Sequence, residues 1–252
     1  MNATAKLIIT ILSFATVIAI IAGLYLHVFR GFSPWSAGKN VKDEKHFEGT
    51  LDRMDVDINF ADLEIKPGSD ISVSYNIPEN LVPSITFEGG TLKVKSKGNN
   101  KNTFSINGDY DIIITVPEGV SVNSVDINTN AGNVDISGLS GTKISVDADA
   151  GNIKCKNIKT SILSVDADAG NFEAKNITTD SLSVDMEAGN TDLTDCIVDQ
   201  IAAKVNAGNI ESHNCTIRRG NCKVDMGNIS LSGDIGDVSV KASLGNTNIN
   251  KN

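Results

Sequence analysis

Three carboxylate pairs recur along one stretch of the chain: Asp147 and Asp149, Asp166 and Asp168, Asp185 and Glu187. The acids of a pair are two positions apart, and each pair lies 19 residues from the next. On stacked strands such acids stand about 5 Å apart and repel one another. Two chemistries use a patch of this kind. Clustered carboxylate oxygens hold a hard cation, Ca²⁺ above all, and a retaining glycosidase places two carboxyls roughly 5–5.5 Å apart. For Ca²⁺ the six acids are only a weak candidate set, because the glycine-rich nonapeptide of calcium-binding β-rolls is missing. The column also turns basic at Lys204 and Lys223. For sugar cleavage the aromatic platform is missing, since Phe172 is the one aromatic residue beyond Tyr110 and sugar rings stack on aromatic faces. The expected reading is a solvated acidic face, with no catalytic residue and no cofactor.

His213, Cys215 and Cys222, with Cys196 one repeat earlier, form the other chemical grouping. Zinc takes such ligands, but Cys196 and Cys215 fall in a column otherwise held by Leu139, Ile158 and Ile177. They read as buried thiols, which behave as small hydrophobes. A stacking distance near 4.8 Å also permits a disulfide between them. No Ser-His-Asp or Cys-His arrangement occurs: His27 lies in an apolar segment, His46 in a charged one, and His213 stands alone.

The elements that position these groups are set by a repeat. The dipeptide Gly-Asn begins at Gly132, Gly151, Gly170, Gly189, Gly208, Gly227 and Gly245, with intervals of 19 except for a last one of 18. A fixed period of this length marks a solenoid. Apolar columns follow two, seven, twelve and fourteen residues after each Gly, for example Ile153, Ile158, Leu163 and Val165. An alanine column (Ala150, Ala169, Ala188, Ala207) precedes the next Gly and reads as a place where opposite walls approach. Nineteen residues leave no room for a helix, so the fold class is all-β, a β-solenoid of six to seven rungs about 30 Å long. The glycines supply a positive-φ corner. Asn133, Asn152, Asn171, Asn190, Asn209 and Asn228 are expected to stack as an amide ladder.

Upstream, short alternating runs (Met54, Val56, Ile58; Ile71, Val73, Tyr75; Ile112, Ile114, Val116) are separated by turn signals such as Pro67-Gly68 and Gly89-Gly90. Residues 51–125 read as an irregular β-rich cap and 126–252 as the solenoid. Residues 30–50 mix Gly, Ser, Pro and charge without an apolar period and read as a tether. Residues 1–6 are a short tail. From Leu7 to Phe29 no residue carries a formal charge. At 1.5 Å per residue that segment crosses a hydrocarbon core of roughly 30 Å, and Tyr25, Phe29, Phe32 and Trp35 form an aromatic belt at its far end. The run is too long for a cleaved signal peptide and has no A-x-A site, so an uncleaved signal anchor is expected. Arg30, Lys39, Lys42 and Lys45 by themselves favour a cytoplasmic C-terminal side, whereas long soluble domains translocate largely regardless of charge. The net charge of −9 argues against nucleic acid as a partner.

With the strand Asp111–Val116, Pro117 and then the run DINTNAGNVDISGLSG from Asp126, residues 47–250 resemble the bacterial "putative adhesin" family. The resemblance implies a membrane-anchored or exported β-solenoid of largely undefined function, in some cases encoded near cell-envelope stress systems. It implies no catalytic or ligand residues. The expectation is therefore a non-enzymatic, single-pass cell-membrane protein whose soluble part is extracellular, with an envelope polymer or surface protein as partner. A bactofilin-like scaffold polymerising on the membrane is the alternative, motivated by a C-terminal strand edge that Lys241 and Lys251 only partly blunt. An accessory role in an envelope stress response is a third reading.

Overall fold

The computed structural model describes residues 39–96 and 110–251. Among them no helix is long and apolar enough to cross a membrane, and the apolar segment 7–29 lies outside them. The regular elements of the described residues are all strands, apart from one short 3-10 turn at Glu79–Leu81.

The first strand, β1 (Asn40–Phe47), falls where a tether was expected. It pairs antiparallel with β4 (Ile71–Pro78) after the chain has passed through β2 (Arg53–Phe60) and β3 (Asp62–Gly68). Only Val41 and Phe47 of β1 pack toward the core, so the strand carries almost no apolar alternation. Its ladder comes from β4, and the charges along it are those of a sheet edge.

The region read as an irregular cap contains regular rungs. Strands β2 and β3 are followed by β5 (Ser84–Glu88), β6 (Thr91–Lys95), β7 (Asp111–Pro117), β8 (Ser121–Ala131) and β9 (Val134–Ser137). β2 pairs in parallel with both β6 and β8, and β3 with both β7 and β9. The rung formed first in sequence therefore lies second in space, between β6–β7 and β8–β9. Met54 stacks between Leu92 and Val125, and Leu63 between Ile112 and Val134, continuing one core.

From there the rungs follow sequence order: β10 (Ser140–Ala150), β11 (Ile153–Ala169), β12 (Phe172–Ala188), β13 (Thr191–Thr194), β14 (Ile197–Ala207), β15 (Ile210–Met226), β16 (Ile229–Leu244) and β17 (Thr247–Lys251). Each lies parallel to its counterpart one repeat away, with Ile158 on Ile177 and Leu163 on Leu182. The fold is an all-β solenoid with 19-residue rungs. The 18-residue interval has a local cause: Ser212 pairs with Leu231 but Cys215 with Gly233, so β15 bulges by one residue between them.

The alanine column is a correction. Ala150, Ala169 and Ala207 are only half-buried and Ala188 is 9% exposed, because the column sits at the outer approach to the Gly corner. The inner wall is lined two residues earlier by Ala148, Ala167, Met186, Val205 and Val224.

The two ends differ. At the first, antiparallel β5 covers the edge of β6, while β4 and then β1 cover that of β7. At the other, β17 pairs with the start of β16, and no described strand covers β17 or the second half of β16.

Candidate functional site

At each corner a glycine takes φ near +140° to +159°, and the asparagine after it closes a continuous hydrogen-bond ladder. The Asn171 backbone N–H and Nδ2 both donate to Asn152 Oδ1, at 3.1 and 3.0 Å. The same two-pronged contact joins Asn152 to Asn133, Asn190 to Asn171, Asn209 to Asn190, and Asn228 to Asn209. The ladder runs one rung further at each end. Asn133 donates from N and Nδ2 to Asp62 Oδ1, and the Asn246 backbone N–H donates to Asn228 Oδ1. Each Oδ1 thus satisfies a backbone donor that the parallel ladder leaves free at the corner. Asn171→Ala is expected to cost about 1–3 kcal/mol, the usual penalty of an orphaned donor. Asn171→Asp keeps the acceptor and should lose less. Urea denaturation of both variants checks the order.

A second polar column was missed in the sequence. Asn157, Asn176, Asp195 and Asn214 stand 19 residues apart with φ of 54–55°. That left-handed corner is open to Asn and Asp at little steric cost. Asn176 Nδ2 donates to Asn157 Oδ1 at 2.7 Å, and Asn214 Nδ2 to Asp195 Oδ1 at 2.7 Å. The signal was the same 19-residue period carried by Asn and Asp without a glycine.

The six carboxylates point outward from neighbouring rungs. Asp147, Asp166 and Asp185 are in direct register, and the column continues Lys204, Lys223, Lys241 on one side and Asn128, Asp57, Lys95 on the other. Lys204 Nζ lies 3.2 Å from Asp185 Oδ1, and Asn206 Nδ2 donates to Glu187 Oε2 at 2.6 Å. Partial burial, then the neighbouring negative charges, hold Asp149, Asp166 and Asp168 above the usual carboxylate range. Among the described residues, no three His, Cys, Asp or Glu side chains converge as a metal site requires. The acids form a ridge. On another face, a surface hollow of about 380 Å³ is bordered by Asp62, Glu64, Asp111 and Asp135.

His213 and the cysteines are not brought together. His213 is exposed, its Nε2 3.7 Å from Glu211 Oε2, whereas Cys196, Cys215 and Cys222 point into the core. All four cysteines are buried free thiols. The Cys196 backbone N–H donates to Cys215 Sγ at 3.4 Å, and the bond between the two thiols pushes Cys196 up and Cys215 down. Burial pushes Cys155 and Cys222 up to about 12, from an ordinary 9.0. The fold therefore holds their neutral form. The stability this gives is complete below the unfolded value of 9.0 and is lost as pH rises from there toward about 12. Each thiol should contribute a loss approaching about 1.4 kcal/mol per pH unit in that window. Urea denaturation from about pH 8 to about pH 11 should show the decline, and the Cys155→Ala/Cys222→Ala variant should flatten it.

The stacked corners, shared by rungs that lie far apart in the chain, place the fold among known proteins. Residues 51–251 match the family model described as Toastrack DUF4097. The chain belongs to the Toastrack DUF4097 family. No curated protein matches this member of the family in sequence. Solved structures share its fold, among them three from Bacteroides and Parabacteroides species. One, from Bacteroides fragilis, is called a "putative adhesin"; it is 16% identical with a TM-score of 0.62, covering 84% of this chain and 97% of its own. A second of that name, from Parabacteroides distasonis, is 16% identical with a TM-score of 0.56, covering 85% and 98%. The third, from the same species, is called a "putative lipid binding protein"; it is 23% identical with a TM-score of 0.54, covering 84% and 98%. The Toastrack fold of this chain is thus that of a β-solenoid lined with structural polar columns.

Proposed function

We propose that this Toastrack protein is a non-enzymatic display rod, anchored by residues 7–29 in the cell membrane with its solenoid on the outer side. The observation that carries the reading is the set of in-register outward columns, such as Lys95 through Lys241, on a scaffold whose inward groups are mostly apolar. Such faces offer repeated charges at a fixed spacing of about 4.8 Å, suited to a periodic envelope polymer or a flat protein surface. The names of the B. fragilis and P. distasonis relatives support an adhesin-like role. The chain also enters the solenoid through β1 at the covered end.

The test is protease treatment of intact cells producing the full chain. Cleavage ahead of β1 should release a folded solenoid into the medium. Full protection until the cells are lysed would overturn the surface placement. A filament growing head to tail is disfavoured by one observation, since β1, β4 and β5 close the first end.

A further inference from the structure

We infer that the open end of the solenoid is a self-complementary interface, on which a second copy of this chain docks tail to tail about a two-fold axis. No described residue covers the apolar interior here. Val238, Val240, Ala242 and Ile249 are half-buried and Leu244 is 48% exposed, although Cys222 and Val224, one rung below Val240 and Ala242, are buried. The rim of this opening is the second half of β16, whose outer ladder positions have no described partner strand. An unpaired edge beside exposed apolar groups is a template for another strand.

The sequence of that edge specifies which strand. Val238, Ser239 and Val240 read the same in both directions, and Asp237 and Lys241 put opposite charges at the two ends. Laid antiparallel on itself with Ser239 at the axis, the segment sets Asp237 against Lys241 of the second copy and Val238 against Val240. Opposed residues of an antiparallel pair share a face, so the charges meet outside and the valines close the core. The hydrogen-bonding parity agrees. The Leu244 carbonyl points back to the Gly227 N–H at 2.9 Å, so the strand alternation turns Asp237, Ser239 and Lys241 toward the open edge. Ser239 opposite Ser239 then exchanges both backbone bonds. Neither Asp237 nor Lys241 has an ion-pair partner among the described residues, and Lys241 stacks beyond Lys223 and Lys204, where an added carboxylate is favourable.

The covered first end makes the assembly closed, a pair and not a fibre. The pairing rests on the fold alone and does not depend on the display reading. On that reading, however, the two chains enter the pair at its opposite ends, each through its own β1.

The test uses the full chain in mild detergent, with the four native cysteines buried. Ser239→Cys should give a disulfide-linked dimer on mild oxidation, at least roughly tenfold more than Ser183→Cys, its mid-solenoid counterpart in the same column. Asp237→Lys or Lys241→Asp alone should shift sedimentation to the monomer, and the double exchange should restore the dimer. Matching melting temperatures for these surface variants separate pairing from folding. A monomeric parent chain, equal crosslinking at Ser239 and Ser183, or a double exchange that stays monomeric would each overturn the inference. Loss of the dimer with normal release of the solenoid from intact cells would leave the display reading standing by itself.

Discussion

Gly170→Ala should destabilise the solenoid by about 4 kcal/mol, the upper end of what single substitutions do. Gly170 has φ of +144°, a region costing a non-glycine residue roughly 1–3 kcal/mol. A methyl group there would sit 1.8 Å from the Gly151 carbonyl oxygen, far inside contact distance, and that atom is backbone. The oxygen cannot swing away, because the rungs are locked on both sides. The Gly170 N–H donates to the Ala188 carbonyl at 3.0 Å, and the Gly151 N–H to that of Ala169 at 3.0 Å. Relief therefore means prying two rungs apart, and overpacking of this kind adds roughly 1–3 kcal/mol. Gly119→Ala is the control: its φ is also positive, at +79°, but nothing lies within 4 Å of the added methyl. It should cost only the strain of the turn. Urea denaturation of the three proteins decides, and a loss at position 170 no larger than at 119 would show that the corners yield.

That corner explains what the sequence could and could not disclose. Gly-Asn recurs because each corner is pressed against the one before it, so every rung needs the same pair, and the period is plain from Gly132 onward. The second-lying rung carries the same corner with Ala61 and Asp62 in place of Gly and Asn. Ala61 can stand there because its backbone does not take the positive φ of the glycine corners. Asp62 supplies the acceptor oxygen that asparagine supplies elsewhere. It lies 71 residues from Asn133, its neighbour in space, because β4 to β7 intervene, so no period links them. The regular part of the fold thus begins well before residue 126.

The outward columns were partly legible for the same reason. Alternation showed that the six carboxylates face solvent, and the period showed that Lys204 and Lys223 follow them. The other side of the column, Asn128, Asp57 and Lys95, depends on the rung that is out of sequence order. The charged strand β1 was hidden because an edge strand paired on one side and wet on its faces has no apolar alternation to display. Lys241, read from sequence as a charge that blunts an edge, acquires a different role once Asp237 is seen four residues away on the same rim.

Phe172→Ala should cost about 3–5 kcal/mol, as removal of a fully buried ring does, and it should also change how the rod unfolds. Phe172 is 0% exposed and stacks between Ile153 and Thr191 in a column otherwise filled by Val134, Ile210 and Ile229. The ring fills space that its small neighbours leave: Thr191 on the next rung and Ala174 two positions along the strand. Thr191 cannot move in to replace it, since its hydroxyl donates to Met186 Sδ at 3.2 Å. Phe172→Ile, the residue of neighbouring rungs, should cost well under half as much, because it keeps most of the volume. In a stacked repeat each rung contacts only its neighbours, so a weak rung near the middle uncouples the two sides. Hydrogen exchange of Phe172→Ala should therefore show the greatest loss of protection in β11 to β14, with the rungs around β2 and β8 retaining more. Uniform loss along the whole rod would mean that the covered end and the open end fold as a single unit despite their separation.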